Sequence, residues 1–247
     1  MSGALANRRL RQEQNFLVGP RRRRHELRSA TRIAAEFVRG FRRLHFLGPC
    51  VTVFGSARVV EGDESYELAR SVARAMGELG FGIITGGGPG IMEAANRGAR
   101  DVGAMSVGCA IELPAEQDTN PYVDLEVTFE HFFVRKVMLV KYSYAFIVMQ
   151  GGFGTGDEMF EALTLIQTAK IKEFPVVLMG VDFWAPLVAQ LDRMVADGMI
   201  SDSDLDLFIV TDSVTQAVAF VEERAVKRFA LARRPRAIRV LGEHPAR

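Results

Sequence analysis

The stretch "FGIITGGGPGIMEAANRGA" (residues 81–99) passes from a short apolar run through three consecutive glycines into a helix-forming segment. A strand, a glycine turn and a helix in succession form the repeating unit of α/β proteins. Consecutive glycines lose much backbone entropy on folding, so they indicate either a tight strand-to-helix turn or a ligand that approaches the main chain closely. The spacing matches neither the dinucleotide-binding pattern in its usual first-strand position nor a P-loop.

The same alternation of strand and helix signals continues along the chain. The predicted strands are continuously apolar and the segments between them are amphipathic, which favours a parallel sheet with helices on both faces. We therefore expect a single doubly wound, Rossmann-like α/β domain. The predicted strands are residues 50–55, 81–88, 104–109, 124–129, 144–149, 175–179 and 207–211. The predicted helices are residues 28–43, 64–79, 89–101, 131–141, 155–170, 183–196 and 213–230.

Length and composition are those of an ordinary globular protein, with 247 residues, 48% of them hydrophobic and 25% charged. No apolar run approaches the roughly 20 residues that span a bilayer, and no apolar signal-peptide core follows the N-terminus. Two cysteines, Cys50 and Cys109, provide neither a disulfide framework nor a metal cluster. They favour a reducing, cytoplasmic compartment and predict no metal site.

The charge is unevenly distributed. Residues 1–50 contain twelve arginines against three glutamates, and residues 224–247 contain eight Arg or Lys against one glutamate, so the middle carries −15 within a net charge of +1. Basic ends could bind nucleic acid or another anionic surface, or mark an organelle transit segment. No aromatic residues interleave them as a stacking surface, so we expect solvated tails and no nucleic-acid partner. The expected organisation is a flexible leader (1–27), the domain (28–230) and a flexible tail (231–247).

A second glycine-rich stretch is "VMQGGFGTGDEMFEALTLIQT" (residues 148–168). Its glycine turn would attract a negatively charged ligand, yet the stretch also contains two carboxylates. We predict a helix with Thr155 as its N-cap, where free N–H groups and the helix dipole favour a phosphate. Asp157 and Glu158 follow within one turn. Because Glu158 lies three residues after Thr155, a capping box fits these residues as well as a catalytic carboxylate does.

Three glycine-marked turns follow predicted strands, at Gly55, Gly86–Gly88 and Gly151–Gly154. In doubly wound sheets, ligands bind beyond the carboxyl ends of the strands, where the strand order reverses. We therefore expect these turns to form one ligand site.

Three motifs in this order, "GGGPGIM", "HFFVRKVMLVKY" and "GGFGTGDE", resemble those of the LOG family of cytokinin-activating phosphoribohydrolases, whose bacterial relatives carry the label of possible lysine decarboxylases. The resemblance covers roughly residues 45–225 and is greater to the longer bacterial branch of the family. One position departs from the family pattern. Gln150 stands where the family has proline, which frees the local φ angle and adds an amide that could contact a ligand.

The resemblance implies a hydrolase that cleaves the N-glycosidic bond of a purine nucleoside 5′-monophosphate, either AMP or a cytokinin riboside 5′-monophosphate, giving free base and ribose 5-phosphate without a cofactor. It implies Glu158 as the carboxylate that stabilises oxocarbenium character on the ribose, and Arg135 as the cation for the departing base or the phosphate. It also implies a homodimer or higher homo-oligomer. The substrate-binding positions that it implies are Gly55, Ser56, Gly86, Gly87, Gly88, Met92, Lys136, Gly151, Gly152, Gly154 and Thr155.

These residues also have ordinary structural explanations. An arginine such as Arg135 commonly pairs with a neighbouring acid on a helix surface, and Met92 could simply fill the core. His131 is more typical of a capped or half-buried histidine at a helix start than of a catalyst.

Two other functions use the same residues. A non-catalytic nucleotide- or cofactor-binding protein would share the pocket, but it would not need a carboxylate beside a phosphate. Lysine decarboxylation would need pyridoxal phosphate on a Schiff-base lysine. Nothing supplies a cofactor motif around the available lysines, which are Lys136, Lys141, Lys170 and Lys172.

Overall fold

A computed structural model describes residues 16–113, 119–172 and 174–226 of the chain. Its helices are α1 (Arg23–Leu44), α2 (Glu64–Glu78), α3 (Ile91–Asp101), α4 (Phe132–Lys141), α5 (Phe153–Gln167), α6 (Val181–Ala196) and α7 (Val214–Val221). Its strands are β1 (Cys50–Phe54), β2 (Gly82–Thr85), β3 (Ser106–Ile111), β4 (Leu125–Phe129), β5 (Ser143–Val148), β6 (Val176–Met179) and β7 (Phe208–Thr211). A 3-10 helix (Asp202–Leu207) precedes β7, and a π-helical turn (Glu222–Val226) follows α7.

The seven strands form one parallel sheet in the order β4-β3-β2-β1-β5-β6-β7. The order reverses between β1 and β5, which pair so that Phe54 lies beside Val148 at their carboxyl ends. The crevice of a doubly wound sheet opens at such a reversal. The predicted Rossmann-like α/β fold with a parallel sheet is therefore confirmed.

Helices cover both faces of the sheet because successive strand residues point to opposite sides. In β5, Phe146 and Val148 belong to one buried cluster and Ala145 and Ile147 to the other. The first cluster is completed by apolar residues of α1, α4, α5 and α6, and the second by residues of α2, α3 and α7. This double burial explains why the strands are continuously apolar.

Helix α1 covers the edge of the sheet at β4. Arg39 and Arg43, one helical turn apart, donate to the backbone carbonyls of Thr128 (3.3 Å) and Glu126 (3.4 Å). These carbonyls belong to alternate residues of the edge strand, whose outward groups have no neighbouring strand to pair with. Two arginines of the basic N-terminal region therefore have a structural role at the sheet edge.

Several predicted boundaries differ from the observed ones. Helix α1 begins at Arg23, so residues 23–27 of the predicted leader are helical, whereas residues 1–15 lie outside the described residues. The last predicted helix ends as an α-helix at Val221, and the predicted tail of residues 231–247 also lies outside the described residues. The most consequential difference is at α5, which begins at Phe153 with Gly152 as its N-cap. The prediction of Thr155 as the N-cap is wrong.

No helix in the described part of the chain is both long enough and apolar enough to cross a membrane.

Candidate active site

A cavity of about 1150 Å³ lies beyond the carboxyl ends of β1, β2 and β5, at the reversal of strand order. All three predicted glycine turns line it, together with the arginine of α4. The predicted site residues in its wall are Gly55, Ser56, Gly86, Gly87, Gly88, Met92, Arg135, Gly151, Gly152, Gly154 and Thr155. Two predicted site residues, Lys136 and Glu158, do not line it.

Backbone hydrogen bonds hold the turns against one another. The amide of Ser56 donates to the carbonyl of Gln150 (2.9 Å), and the amide of Ile91 donates to the carbonyl of Ser56 (3.0 Å). The turn after β1 is thereby joined both to the start of α3 and to the turn after β5. Gly55 permits this approach, because a Cβ on it would collide with the side chain of Ile91.

The start of α5 faces the cavity with unpaired backbone amides. Because the helix begins at Phe153, the N–H groups of Phe153, Gly154 and Thr155 have no acceptor within the helix, and the first intrahelical bond runs from Gly156 to Gly152 (3.0 Å). Two glycines in the first turn reduce helix stability by about 1 kcal/mol each relative to alanine. A Cβ on Gly154 or Gly156 would meet no protein atom within 4 Å, so protein packing does not require these glycines. They leave room for a ligand at an amide-rich, positive helix end.

Thr155 has a packing role in the first turn. A Cβ on Gly151 would collide with the Thr155 side chain, which is itself buried. This contact fixes the turn after β5 against the helix that follows it. The side chain of Thr155 therefore packs against the turn after β5. It does not cap the helix, contrary to the prediction.

Glu158 pairs with Arg135 across two helices. The carboxylate, only 2% exposed, accepts a hydrogen bond at Oε1 from Arg135 Nη2 at 3.4 Å. The capping box is excluded, because the helix begins at Phe153 and the carboxylate contacts α4. Within the described residues, Glu158 Oε2 and Arg135 Nε are both buried without a hydrogen-bond partner. Unsatisfied buried polar atoms are rare, and each calls for an explanation such as a bound ligand or an ordered water.

Burial raises the pKa of Glu158 above its ordinary value, and the nearby charges of Arg135 and Lys136 oppose this rise. Protonation of this carboxyl is consequently easier than for an exposed glutamate, and a raised pKa is typical of active-site carboxylates. Arg135 lies in the wall of the cavity while Glu158 lies behind it. The guanidinium therefore connects the buried carboxylate to the cavity.

Lys136 is held away from the cavity. Its Nζ lies 2.9 Å from Asp157 Oδ1 and 2.9 Å from Glu161 Oε2. Burial lowers the pKa of Lys136, but the hydrogen bonds to Glu161 and Asp157 outweigh it and raise the pKa overall. The predicted phosphate contact of Lys136 is not supported, because its ammonium already ties α4 to α5.

Gln150, the residue that departs from the family pattern, contacts the turn after β6. A Cβ on Gly180 would meet Gln150 Cγ and Nε2 at 3.1 Å, and Gly180 adopts a left-handed φ of 107°. The side-chain amide does not line the cavity. The backbone carbonyl of Gln150 contributes to the site by accepting from Ser56.

A buried polar network, which the sequence motifs did not reveal, supports the glycine turn after β2. Asn120 Nδ2 lies within hydrogen-bond distance of the carbonyls of Gly87 (3.1 Å) and Gly88 (2.9 Å), and the Thr85 hydroxyl accepts from the Gly87 amide (2.9 Å). Asn96 accepts from both Asn120 and Thr85. Gly87 has a φ of 76°, which only glycine adopts readily, so the network fixes a backbone shape that the sequence alone permits but does not specify.

The cavity wall includes further residues that the motif analysis omitted. Arg58 follows the Gly55–Ser56 turn, and Asp157 follows the α5 glycines, so proximity to the motifs was the available signal. Phe153 is fully exposed and Phe160 is partly exposed, and both line the cavity. Apolar side chains therefore contribute to the lining beside the amide-rich start of α5. They include Met92, Ala110, Ile111, Leu113, Phe153 and Phe160.

Comparisons with known proteins show what the chain is similar to. The family model described as "Possible lysine decarboxylase" matches residues 92–221, more than half of the chain. Cytokinin riboside 5′-monophosphate phosphoribohydrolase LOG of Oryza sativa subsp. japonica is 29% identical over 191 residues, which are 74% of this chain and 76% of that protein. The cytokinin riboside 5′-monophosphate phosphoribohydrolase of Rhodococcoides fascians is 27% identical over 176 residues, covering 69% of this chain and 88% of that protein.

Solved structures share the architecture. The molybdenum cofactor binding protein from the phototrophic bacterium Rippkaea orientalis has a TM-score of 0.54 at 20% identity, covering 71% of this chain and 96% of that chain. The Moco carrier protein from Chlamydomonas reinhardtii has a TM-score of 0.51 at 24% identity, covering 73% and 99%. At these identities the likeness shows the fold alone.

The three glycine turns meet at one cavity, the α4 arginine pairs with the α5 carboxylate behind it, and the family model spans both helices. On this evidence, the chain belongs to the LOG family, which carries the description "Possible lysine decarboxylase" and includes proteins named cytokinin riboside 5′-monophosphate phosphoribohydrolase.

Proposed function

We propose that the protein hydrolyses the N-glycosidic bond of a purine nucleoside 5′-monophosphate, releasing the free base and ribose 5-phosphate. One observation carries the proposal. A buried Arg135–Glu158 pair retains an unused donor and an unused acceptor beside a cavity whose other end is a glycine-rich helix start. The two incompletely bonded groups leave a donor and an acceptor for a ligand or an ordered water beside the cavity.

The start of α5 is the proposed phosphate site. The amides of Phe153, Gly154 and Thr155 present three donors at the positive end of a 15-residue helix. The absence of side chains at Gly152 and Gly154 lets phosphate oxygens approach the main chain. A phosphate bound here places the ribose further along the cavity, toward Arg135.

The proposed reaction breaks the bond between ribose C1′ and the base nitrogen and forms a bond between C1′ and a water oxygen. The bonding electron pair leaves with the base, which gains a proton, and the water loses one. Positive charge develops on the ribose in the transition state, and the Glu158 carboxylate stabilises it. Because Glu158 lies behind the cavity wall, it acts on this charge electrostatically and through Arg135, without contacting the ribose.

Arg135 supplies positive charge at the wall of the cavity. A guanidinium stays protonated across the physiological range, so its role is electrostatic and it does not transfer a proton. It stabilises the negative charge that develops on the departing base, or it holds a phosphate oxygen, while its bond to Glu158 opposes the effect of burial and favours the ionised carboxylate.

The apolar lining residues form the proposed site for the base. Met92 and Ile111 offer an apolar surface to a purine ring, and the exposed aromatic side chains of Phe153 and Phe160 also line the cavity. We propose AMP as the first substrate to test and a cytokinin riboside 5′-monophosphate as the second. The proposal includes no metal and no cofactor, because water is the only co-substrate of the reaction.

The structure gives no support to a Schiff-base lysine. None of Lys136, Lys141, Lys170 and Lys172 lines the cavity, and Lys136 has a raised pKa between two carboxylates. An amine that forms a Schiff base needs the opposite shift, toward the neutral form.

A non-catalytic nucleotide- or cofactor-binding protein is the second candidate. The observation that favours it is the position of Glu158 behind the cavity wall, where it contacts Arg135. Under this interpretation the pair would stabilise the two helices, and the cavity would hold an intact ligand.

Product analysis separates the two candidates. The protein is incubated with AMP, and in parallel with an N6-substituted adenosine monophosphate, and the mixtures are analysed by liquid chromatography for free base and ribose 5-phosphate. Equal amounts of the two products support the hydrolase. Recovery of intact nucleotide in both incubations, together with calorimetric evidence of binding, would establish the binding protein instead.

We further propose a cytoplasmic enzyme that forms a homodimer or a higher homo-oligomer. Both cysteines are buried free thiols, as suits a reducing compartment. The oligomer follows from the family resemblance.

A further inference from the structure

Helix α1 precedes the stretch that the family model matches, yet it packs along α4, which carries Arg135. Gly40 of α1 allows close approach, because a Cβ there would meet Met138 Cε of α4 at 3.0 Å. At the far end of α4, the hydroxyl of Tyr142 donates to the carbonyl of Phe41 (3.4 Å). Helix α1 therefore follows α4 along its length.

The strongest contact between the two helices is a buried polar one. Glu36 of α1 is 4% exposed, and its Oε1 accepts from the backbone amides of Glu130 (2.6 Å) and His131 (3.2 Å). Its Oε2 lies 2.6 Å from Nδ1 of His131, which is also 4% exposed. His131 is the N-cap residue of α4 and makes no side-chain capping bond of its own. Glu36 of another helix thus holds the two residues that lead into α4.

This contact determines where α4 begins, and Arg135 lies one turn later. The Arg135 amide donates to the His131 carbonyl (3.1 Å), so the backbone position of Arg135 follows directly from that of His131. Its guanidinium then reaches Glu158 at 3.4 Å and lies 5.5 Å from the ring centre of Phe132. A shift of the first turn of α4 would move the guanidinium relative to both Glu158 and the cavity.

We infer that Glu36 is a positioning residue for the active site: by fixing the start of α4 it sets the place of the Arg135 guanidinium, which makes the N-terminal helix part of the catalytic apparatus. The inference rests on the proposed hydrolase function. A buried carboxylate is retained at this point because it bonds two amides and an imidazole at once, and no apolar residue would define the helix start in this way.

Kinetics of Glu36→Gln test the inference. Glutamine keeps the size of the side chain but replaces one acceptor oxygen by an NH₂ group and removes the charge. A misplacement of about 1 Å can reduce a rate about 100-fold, so we expect kcat to fall at least tenfold while KM for AMP stays within about twofold. A role confined to folding would lower the melting temperature and leave kcat unchanged, and that result would overturn the inference.

Arg43→Ala is the matched control on the same helix. It removes the bond of α1 to the carbonyl of Glu126 and leaves the Glu36–His131 contact in place. We expect unchanged kcat with some loss of stability. If this variant lowers kcat as much as Glu36→Gln does, then any loosening of α1 suffices and the specific role of Glu36 is refuted.

A double-mutant cycle with His131→Gln tests whether the two side chains act together. Because their carboxylate–imidazole contact is shared, the double variant should lose less kcat than the sum of the two single losses. Additive losses would show that the two residues act separately and would contradict the inference.

Hydrogen exchange gives a readout that does not depend on activity. We expect faster exchange of amides 130–138 in Glu36→Gln than in Arg43→Ala, because only the former releases the start of α4. If the wild type hydrolyses no nucleotide, the proposed function fails, and exchange alone then decides whether Glu36 positions α4. Equal exchange in the two variants would reject the positioning role whatever the activity.

Discussion

Glu158→Gln is the substitution that most directly tests the proposed chemistry. Glutamine preserves the volume of the buried side chain and can still accept from Arg135, so the fold and the cavity wall remain. The change removes one negative charge from a position 3.4 Å from a guanidinium and immediately behind the cavity. We expect turnover to be lost while the nucleotide still binds.

The magnitude follows from the geometry. Two unit charges at a separation of 3.4 Å interact by about 5 kcal/mol at an effective dielectric constant of about 20. A developing ribose cation at a somewhat greater distance would gain less, and desolvation offsets part of the gain. Removal of one preorganised electrostatic group from an active site typically lowers kcat by about 10²–10³, or about 3–4 kcal/mol. We therefore expect kcat for AMP to fall by about that factor.

The assay measures free adenine by liquid chromatography over a range of AMP concentrations at neutral pH. Because Glu158 does not line the cavity, KM should change little, and kcat and kcat/KM should fall together, as for an interaction made only in the transition state. Glu161→Gln is the matched control, since Glu161 lies one turn along the same helix and bonds Lys136. It should keep the wild-type kcat.

A kcat of Glu158→Gln within about tenfold of the wild type would refute the catalytic role of Glu158, since loss of an oxocarbenium-stabilising carboxylate lowers kcat by more than tenfold. A raised KM with an unchanged kcat would refute it as well. That pattern would make Glu158 a support of the binding site and would favour the non-catalytic ligand-binding protein.

Three further predictions concern individual contacts, and a fourth concerns the oligomer that the family resemblance implies. Gly154→Ala should stabilise the fold by up to about 1 kcal/mol in thermal unfolding, because alanine favours the helix. It should also raise KM for AMP several-fold, because the new methyl group occupies the proposed phosphate site. An unchanged KM would show that α5 does not bind the phosphate. Asn120→Ala should lower the free energy of unfolding by about 1–3 kcal/mol, because it leaves the carbonyls of Gly87 and Gly88 without their side-chain donor, and a loss below measurement error in urea unfolding would contradict this. Burial would raise the pKa of Glu36, but hydrogen bonds from the His131 side chain and two backbone amides hold that pKa below its ordinary value. The stabilising contribution of Glu36 is therefore present at neutral pH and is lost as the pH falls below about 4.5. The stability of Glu36→Gln should consequently fall less steeply with decreasing pH than that of the wild type, as measured by acid unfolding. Light scattering after size-exclusion chromatography should give at least twice the 27.3 kDa chain mass, and a mass of one chain would refute the oligomer.

The start of α5 shows where sequence patterns mislead. Threonine and glycine are N-caps of similar rank, and Glu158 three residues after Thr155 completed a capping-box pattern that selected Thr155. The structure uses Gly152, because the Thr155 side chain packs against Gly151 and fixes the turn after β5. A tertiary contact outweighed a local pattern, and the free amides therefore lie three residues earlier in the chain than predicted.

Lys136 shows a second way in which local patterns fall short. The family resemblance implied that it binds substrate, and this stays a prediction. A single helix residue turns the side chain by about 100°, so neighbours in sequence face different surroundings. Arg135 reaches the cavity wall, whereas Lys136 meets Asp157 and Glu161 on α5.

The sequence by itself determined the class of fold and the positions of its turns. Apolar runs, helical periodicity and glycines act over a few residues, so their effects can be predicted from the local sequence. Only the tertiary structure decided the strand order that brings the turns after β1, β2 and β5 to one cavity. It also decided the pairing of Arg135 with Glu158 and of Glu36 with His131, the latter 95 residues apart. Such contacts depend on how whole helices pack against the sheet. A local sequence pattern therefore does not predict which residue a buried charged side chain will pair with.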